Sequence, residues 1–302
     1  MAMSKHEIPD FLVIGHVTKD LLARGGHVIG GTASYASLTA RNLGRKVGIV
    51  TSAGADLDLG GFFQGIQVIN RGSEITTTFQ NIYLDGSRQQ FVKGVARPLE
   101  INDVPTAWRD AAVVLLGPLV GELGVDMVRL FPNSLLAVTA QGWMRQWDGD
   151  GRVNARLWRE AEEILPIVDA LVFSYEDVKH DISLVQKYAS LAKITAVTHG
   201  RCGAVVFCDA GSRWLPAYQA KEVDPTGAGD VFAAAYLVSL SETGDPFEAA
   251  RFANCTASFS IQGEATSAIP MRHQVEERLR NGALIDIECD KDSLIRSILH
   301  RA

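Results

Sequence analysis

The sequence contains no long apolar run and no concentration of positive charge. No apolar stretch reaches the roughly 20 residues that cross a bilayer as a helix, and the first ten residues, MAMSKHEIPD, contain no apolar signal core. Basic runs are no longer than a couple of residues, and the formal net charge is −6. Because nucleic-acid binders display clustered Lys and Arg, these absences predict a cytoplasmic protein with no membrane or nucleic-acid partner.

Cysteine is scarce and shows no pattern. The four residues form no CxxC pair and have no histidine at metal-ligand spacing; they are Cys202, Cys208, Cys255 and Cys289. We therefore expect buried free thiols in a reducing compartment. Repeats, low-complexity tracts and interdomain linkers are absent as well. Residues 1–302 are thus predicted to form one domain, and the 47% hydrophobic content is sufficient for a large core.

Strand and helix patterns alternate along the chain. Short apolar runs bounded by turn residues are typical of parallel strands covered on both faces, and they occur at 11–15, 47–51, 112–116, 135–139, 170–173 and 194–198. Helical patterns separate several of them, at 32–43, 121–130, 154–165 and 183–191. This order predicts an α/β fold, a doubly wound and mostly parallel sheet flanked by helices, with right-handed crossovers.

One segment interrupts the alternation. Residues 75–84 and 87–93 are rich in strand-forming residues and flank Asp85-Gly86, a strong hairpin signal. The Thr- and Gln-rich faces of these arms suggest a hairpin outside the main core. We therefore predict a small β lid formed by about 75–94, with 17–30 as a second candidate contributor.

Residues 223–240, VDPTGAGDVFAAAYLVSL, place a glycine-rich turn before an almost wholly apolar helix. Such a turn is an anion site, because unpaired N–H groups and the helix dipole point at the ligand. Asp230 lies in the first helical turn and would repel a phosphate unless an alcohol lay between them. It could then accept the hydroxyl proton during phosphoryl transfer. Alternatively, Asp230 only complements the helix dipole.

The run from Asp224 to Asp230, DPTGAGD, resembles the C-terminal signature of the ribokinase-like (PfkB) carbohydrate kinases. The resemblance implies that ATP, with Mg²⁺, donates its γ-phosphate to an alcohol and that Asp230 is the catalytic base. Asp224 and Thr226 match positions that bind a monovalent cation such as K⁺ in some members. The implied anion hole consists of Gly227, Ala228, Gly229 and Asp230.

Upstream features match the substrate side of the same family. Gly30-Gly31, followed by a helix that ends at Leu43-Gly44, resembles the N-terminal signature, which implies that Gly31 contacts substrate. Asp20 matches the acidic residue that often receives sugar hydroxyls. The alternative for Asp20 is an ordinary surface aspartate.

Two further segments match the nucleotide side. The turn from Thr198 to Gly203, THGRCG, resembles the nucleotide loop, which implies that Thr198, Gly200 and Gly203 lie beside the ATP phosphates and ribose. Ala253-Asn254, on a helix predicted over 247–261, resembles the adenine-side helix. Alternatively, Asn254 faces outward from a core helix.

The sequence also departs from the family pattern. An Asn-x-x-Glu motif usually organises Mg²⁺, but this chain has Ser174-Tyr175-Glu176-Asp177. Asp177 or Glu176 is therefore the candidate metal-organising carboxylate, since Mg²⁺ needs few protein oxygens. Only ten residues separate Asp20 from Gly30, so we expect a lid little larger than the hairpin. That expectation argues against the lid-to-lid dimer of ribokinase and leaves a monomer or another dimer.

Three runs resemble the myo-inositol kinase branch: 30–35 (GGTASY), 140–145 (AQGWMR) and 174–177 (SYED). The resemblance places Arg145 near the transferring phosphate, where a guanidinium neutralises charge well; a surface salt bridge is the alternative. Tyr35 replaces a common asparagine and could stack on a ring. Together with Asp20 and Gln141 it suggests a pocket for a cyclic polyol.

Several functions remain open on the sequence alone. The leading one is ATP-dependent phosphorylation of a sugar or cyclitol hydroxyl. A nucleoside kinase is the first alternative, because Tyr35 could stack on a base, and a non-catalytic sensor of sugar or nucleotide is the second. A dinucleotide-dependent oxidoreductase is disfavoured, since the first strand leads into His16-Val17-Thr18 and not into a GxGxxG turn.

Overall fold

The computed structural model of the chain describes residues 7–84, 87–285, 289 and 293–299. The strands in this part of the chain are β1 (Phe11–Ile14), β2 (Thr18–Leu21), β3 (His27–Gly30), β4 (Val47–Thr51), β5 (Gln67–Asn70), β6 (Thr78–Leu84), β7 (Ser87–Gly94), β8 (Val113–Leu116), β9 (Leu135–Thr139), β10 (Arg145–Trp147), β11 (Val153–Ala155), β12 (Ala170–Ser174), β13 (Ile194–Thr198), β14 (Ala204–Cys208) and β15 (Gly211–Leu215). The helices are α1 (Thr32–Asn42), α2 (Leu59–Phe62), α3 (Ala161–Ile164), α4 (Ile182–Leu191), α5 (Ala228–Thr243), α6 (Pro246–Ser260), α7 (Arg272–Asn281) and α8 (Ser293–Leu299).

Nine strands form the central sheet, in the order β15-β14-β13-β12-β9-β8-β1-β4-β5. The strands from β13 to β5 pair in parallel, which confirms the predicted α/β fold with a mostly parallel sheet. β14 and β15 extend one edge in antiparallel pairing. This hairpin edge was not predicted, because its second arm, GSRWL, has no apolar run.

Buried side chains cover both faces of this sheet. One cluster joins α1, α5 and α6 to one face, and a second joins α3, α4 and the loops before them to the other. Residues 231–240 of α5 are all buried, as expected for a helix that is apolar all round. The core therefore holds α5 firmly against the sheet.

A second sheet of four strands forms the lid, in the order β3-β2-β6-β7. Within this sheet β2 pairs with β6 in parallel, whereas β3 pairs with β2 and β7 pairs with β6 in antiparallel orientation. The lid contains both predicted segments, so the expectation that it is little more than the hairpin is wrong. Two strands of four residues each, β2 and β3, fit into the short 17–30 segment, and the lid therefore has four strands where the hairpin alone would have two. The predicted turn Asp85-Gly86 lies outside the described residues.

Two predicted helices are shorter than expected. The helical pattern at 121–130 forms only a 3-10 helix at Val125–Leu130, and Gly121, with a φ of +71°, lies outside any helix. The pattern at 154–165 divides into β11 and the single turn α3. Arg156 causes this division, since its main-chain N–H donates to Met144 (2.8 Å) and its Nε donates to the Trp143 carbonyl (2.9 Å), holding the segment extended.

The cysteine prediction is wrong for two of the four residues. Cys202 and Cys289 form a disulfide across 87 residues of sequence, whereas Cys208 and Cys255 are free thiols. The spacing of the cysteines could not reveal this pair, because only the fold brings residue 289 back to the loop after β13. Across the described residues, no helix combines the length and the hydrophobicity that a membrane span requires.

Candidate active site

Asp230 lies in the first turn of α5, directly after the glycine-rich turn. Gly227 caps this helix in the left-handed conformation, with a φ of +76°, which favours glycine. The N–H of Ala228 donates to the Pro225 carbonyl (3.2 Å), and a side chain at Gly229 would meet nothing within 4 Å. The first turn of α5 therefore faces open space with the unpaired N–H groups that every helix start carries.

Thr32 holds the carboxylate of Asp230. Its Oγ1 donates a hydrogen bond to Asp230 Oδ1 at 2.7 Å, across 198 residues of sequence. Thr32 is the first residue of α1, and Gly31 precedes it with a φ of +87°. The amino-terminal ends of α1 and α5 thus meet at this bond. Thr32 was not among the residues predicted from the sequence, although its place directly after the paired glycines was an available signal.

Asp230 and three other charged side chains lie close enough to influence one another. Desolvation raises the pKa of Asp230 to about 6, while the Thr32 hydrogen bond and the positive charge of Arg145 act to lower it. The negative charges of Asp20 and Asp177 raise that pKa further. The structure therefore brings together Asp230, Arg145, Asp20 and Asp177, which the sequence placed on four separate elements.

Glycines allow the lid to approach the core beside Asp20. Asp20 lies on β2, where its Oδ1 accepts a hydrogen bond from Thr18 Oγ1 (3.2 Å). A Cβ on Gly30 would lie only 2.2 Å from Asp20 Oδ2, and one on Gly31 would lie 2.6 Å from the His16 carbonyl. The two glycines are therefore required for the close approach of α1, β2 and the end of β1.

Tyr35 does not line the cleft. Its side chain is only 1% exposed and belongs to the core cluster around α1 and α5. A Cβ on Gly227 would lie 2.3 Å from Tyr35 Cδ1, so the ring packs directly under the glycine turn. The prediction that Tyr35 stacks on a substrate is therefore wrong, because the aromatic ring supports the anion turn from inside the protein.

Arg145 joins the cleft to the lid. Gln141 is half-buried and begins a 3-10 helix, Gln141–Met144, whose other residues are buried, and Arg145 follows as the first residue of β10. The Arg145 Nη1 atom donates to Gln90 Oε1 on β7 (3.0 Å), and Gln90 Nε2 donates to Asn81 Oδ1 on β6 (3.1 Å). These two lid amides could not be predicted from the sequence, because the register that pairs Asn81 with Gln90 depends on the fold.

The predicted nucleotide loop follows β13, in a 3-10 turn at Gly200–Cys202. The main-chain oxygen of Thr198 accepts from the Tyr175 N–H (2.9 Å), so the loops after β12 and β13 are adjacent. Gly203 has a φ of +88°, and a Cβ there would lie 2.2 Å from the Leu215 carbonyl oxygen. Gly200 has a φ of +48° and open space around it.

Asn254 is buried and bonded within the protein. It is 6% exposed, and its Nδ2 donates to the carbonyls of Leu215 (2.8 Å) and Pro216 (3.2 Å). The outward-facing alternative is therefore wrong, and the predicted contact with adenine cannot use these amide hydrogens without breaking bonds to the segment after β15.

Asp224 connects the loop before α5 to the segment after α6. Its Oδ1 accepts from the Thr226 N–H (3.0 Å), and its Oδ2 accepts from the N–H of Ala265 (3.0 Å). Each carboxylate oxygen thus makes a main-chain contact at the place where a monovalent cation was predicted.

The two metal candidates differ in their surroundings. Asp177 Oδ2 accepts from the Ser174 N–H (2.9 Å), and its charge acts on Asp230. Glu176 is exposed. No group of three or more His, Cys, Asp or Glu side chains able to hold a metal ion occurs in the described ranges. Mg²⁺ bound mainly by a nucleotide needs few protein oxygens, and Asp177 fits that requirement better than Glu176.

Comparisons with known proteins agree with this architecture. The pattern of the "pfkB family carbohydrate kinase" matches residues 156–273. The cytidine kinase of Thermococcus kodakarensis is 29% identical over 79% of this chain and 91% of its own, and the inositol 3-kinase of Arabidopsis thaliana is 25% identical over 92% and 82%. A pyrophosphate-dependent kinase of the ribokinase family, solved with a pyrophosphate analogue and myo-inositol, superposes with a TM-score of 0.75 at 25% identity, covering 88% of this chain and 99% of that one.

The nine-stranded sheet, the lid and the glycine turn beside Asp230 define a ribokinase-like protein. The matched pattern and the relatives above make this chain similar to the carbohydrate kinases of the pfkB family.

Proposed function

We propose that this protein transfers the γ-phosphoryl group of ATP to a hydroxyl of a sugar or cyclitol, with myo-inositol as the favoured acceptor. The observation that carries the proposal is the position of Asp230: a carboxylate with a pKa raised to about 6, hydrogen-bonded to Thr32, beside the open first turn of α5. A general base should be ionised near neutral pH yet still attract a proton, and this pKa meets both conditions.

The reaction then follows from the arrangement. The acceptor hydroxyl donates to the Asp230 carboxylate, and its oxygen attacks the γ-phosphorus while the proton passes to Asp230. The bond from the γ-phosphorus to the bridging oxygen breaks, and ADP leaves. N–H groups of the α5 turn and the guanidinium of Arg145 stabilise charge on the phosphoryl oxygens. Asp177 is the residue that would hold Mg²⁺, which neutralises phosphate charge when bound.

The donor side is proposed from the loop after β13 and the turn before α5. Thr198, Gly200 and Gly203 would border the nucleotide, with main-chain groups as the main contacts. Asp224 and Thr226 remain our prediction for a monovalent cation, which K⁺-dependent activity would support. Asn254 would contribute by holding the segment after β15, through the two carbonyls that its amide binds.

The polyol acceptor is supported by the charges around the cleft and by the relatives. Asp20 can accept hydroxyl protons in hydrogen bonds, and the inositol 3-kinases of Arabidopsis thaliana and Oryza sativa are 25% and 28% identical to this chain. Gly31 and Thr32 lie at the start of α1 beside Asp230, and Gln141 lies four residues before Arg145. A cyclic polyol presents many hydroxyls, which suits a cleft whose side chains are charged or carry amides.

Two alternatives have specific support. The similarity to a cytidine kinase covers 91% of that relative and favours a nucleoside acceptor, although the buried Tyr35 cannot stack on its base. The similarity to pyrophosphate-dependent kinases favours pyrophosphate as donor in place of ATP. A non-catalytic sensor has less support, because the turn and Asp230 are intact.

One assay separates these possibilities. The purified protein with Mg²⁺ is incubated with ATP or pyrophosphate and with myo-inositol, ribose, fructose or cytidine, and phosphorylated product is measured. We expect transfer from ATP to myo-inositol, abolished in Asp230→Asn. Transfer to cytidine alone, or from pyrophosphate alone, would replace the acceptor or the donor. The absence of transfer for every pair would contradict the proposed function.

A further inference from the structure

The lid contacts the connection between β10 and β11, in addition to its own links to the central sheet. The N–H of Val92 on β7 donates to the carbonyl of Gly151 (2.8 Å), and Phe91 forms an antiparallel bridge with Arg152. Residues 148–152 connect β10 to β11, which pair antiparallel. Strand β7 therefore continues its hydrogen bonding from the lid sheet into the β10–β11 hairpin.

Apolar side chains seal the same junction. Phe79 and Val92 of the lid pack with Leu119 and Val120 in a small cluster of their own, and Val153 of β11 packs against it. This cluster is separate from the two that cover the central sheet. The lid and the β10–β11 hairpin are thus packed to each other as well as hydrogen-bonded.

Arg145 is the first residue of this hairpin. Its main chain is in register with Ala155 across the β10–β11 pair, and its guanidinium donates to Gln90 of β7 (3.0 Å). The position of the guanidinium is therefore determined from two sides, by the strand that carries it and by the lid residue that binds it. Both connections lead to β7.

We propose that the β10–β11 hairpin links the lid mechanically to the active site, so that β7 positions the Arg145 guanidinium beside the transferring phosphoryl group through Gln90 and Gly151. Gln90 and Gly151 are positioning residues, since they act through Arg145. The proposal rests on the proposed phosphoryl transfer. It implies that turnover depends on an intact lid–hairpin contact even though that contact touches no reacting atom.

The charges that act on Asp230 give this role a distinctive readout. Asp20 on β2 and Asp177 after β12 raise the pKa of Asp230, and Arg145 lowers it. Desolvation is the largest cause that raises this pKa, and if the guanidinium moves away its opposing effect is lost and the pKa of Asp230 rises further. The acid limb of the kcat/KM profile should then move to higher pH, which a general loss of stability would not cause.

Two substitutions test the link between the lid and the hairpin, and a third serves as the control. Gly151→Ala places a Cβ 2.3 Å from the Val92 carbonyl oxygen at a φ of +85°, so it should open the main-chain contact. Gln90→Leu removes the acceptor of Arg145 and leaves the main chain intact. Gly149→Ala is the matched control, because Gly149 lies in the same connection, has a negative φ and has nothing within 4 Å of an added Cβ.

Kinetics with ATP and myo-inositol should show a kcat that falls about tenfold to a hundredfold in Gly151→Ala and Gln90→Leu, as expected when a catalytic group is misplaced by about 1 Å. The KM for ATP should stay within twofold, and the acid limb should shift upward. Gly149→Ala should match the wild type. Unchanged kcat in both test variants would overturn the proposal.

Hydrogen exchange by mass spectrometry tests the link without turnover, and so separates it from the proposed function. Peptides covering 87–94 and 145–156 should both lose protection in Gly151→Ala, and neither should change in Gly149→Ala. If the 87–94 peptide alone loses protection, the lid moves without the hairpin and the proposal is wrong, whatever the kinetics show.

Discussion

The proposed acceptor half and the proposed donor half of the cleft are built in different ways. The acceptor half, which comprises Asp20, Thr32, Arg145 and Asp230, consists of polar and charged side chains from separate elements. The donor half, the loop at 198–203 with the turn at 224–229, consists mainly of glycines and main-chain contacts. Substitutions in the acceptor half should therefore change the chemistry, and those in the donor half should mainly change stability and shape.

The largest expected effect is that of Asp230→Asn. We expect kcat to fall at least about a hundredfold, the usual contribution of a positioned base, with ATP binding nearly unchanged. The variant should also be more stable at pH 7 by about 1 to 3 kcal/mol, since the ionised carboxylate in the folded protein is desolvated. Turnover and thermal unfolding measure the two effects.

The pH dependence of that stabilisation has a definite sign. The folded protein raises the pKa of Asp230 from 3.8 to about 6, so ionisation destabilises the fold fully above pH 6 and not at all below about 4. The increase in stability of Asp230→Asn over the wild type should accordingly be present at pH 7 and absent at pH 4. A wild-type rate in this variant would remove Asp230 from the mechanism.

Arg145→Ala should have the next largest effect on turnover. We expect kcat to fall more than substrate binding weakens, by about ten- to a hundredfold, because the guanidinium acts on charge that develops during transfer. The acid limb of the pH profile should move above pH 6, since Arg145 lowers the pKa of Asp230. A pure loss of acceptor affinity would place Arg145 on the substrate instead.

In the donor half, Gly203→Ala should reduce stability more than Gly200→Ala. A Cβ at position 203 collides with the Leu215 carbonyl at 2.2 Å, whereas one at 200 meets open space. Both residues have positive φ, so each alanine carries a conformational cost of about 1 to 2 kcal/mol, and the collision adds to it at 203. Urea unfolding measures the difference in stability between the two variants. Equal losses of stability would show that the loop shifts to accommodate the added Cβ at position 203.

The smallest effect should come from Tyr35→Phe. Because the side chain is buried under Gly227, its hydroxyl should not contact the acceptor, and the acceptor KM should stay within twofold. An increase of fivefold or more in initial-rate measurements would place Tyr35 in the acceptor half after all.

The sequence was sufficient for the parts of this molecule that depend on local pattern. The apolar runs at 47–51 and 194–198 became β4 and β13 with the predicted bounds, and the glycine turn before α5 was recognisable because helix starts have local requirements. The α6 start at Asp245-Pro246 is of the same kind, since the Asp245 side chain accepts from the N–H groups of two following residues.

The remainder depends on contacts between distant residues. Thr32 meets Asp230 across 198 positions, Gln90 meets Arg145 across 55, and Cys202 meets Cys289 across 87. No periodicity or spacing encodes these partners. The misplaced role of Tyr35 has the same origin, because a residue near a substrate motif can point to the cleft or to the core, and only packing decides which.

The ring of Tyr35 beneath Gly227 has a consequence for attempts to redesign this protein. Enlarging or shrinking that aromatic residue to admit a new acceptor would deform the glycine turn above it, so selectivity and catalytic power should decline together. The lid strands offer a safer route at positions other than Asn81, Gln90 and Val92, which connect the lid to Arg145 and to the β10–β11 hairpin. Libraries that vary β6 and β7 outside these three positions should therefore yield more active variants than libraries that vary α1.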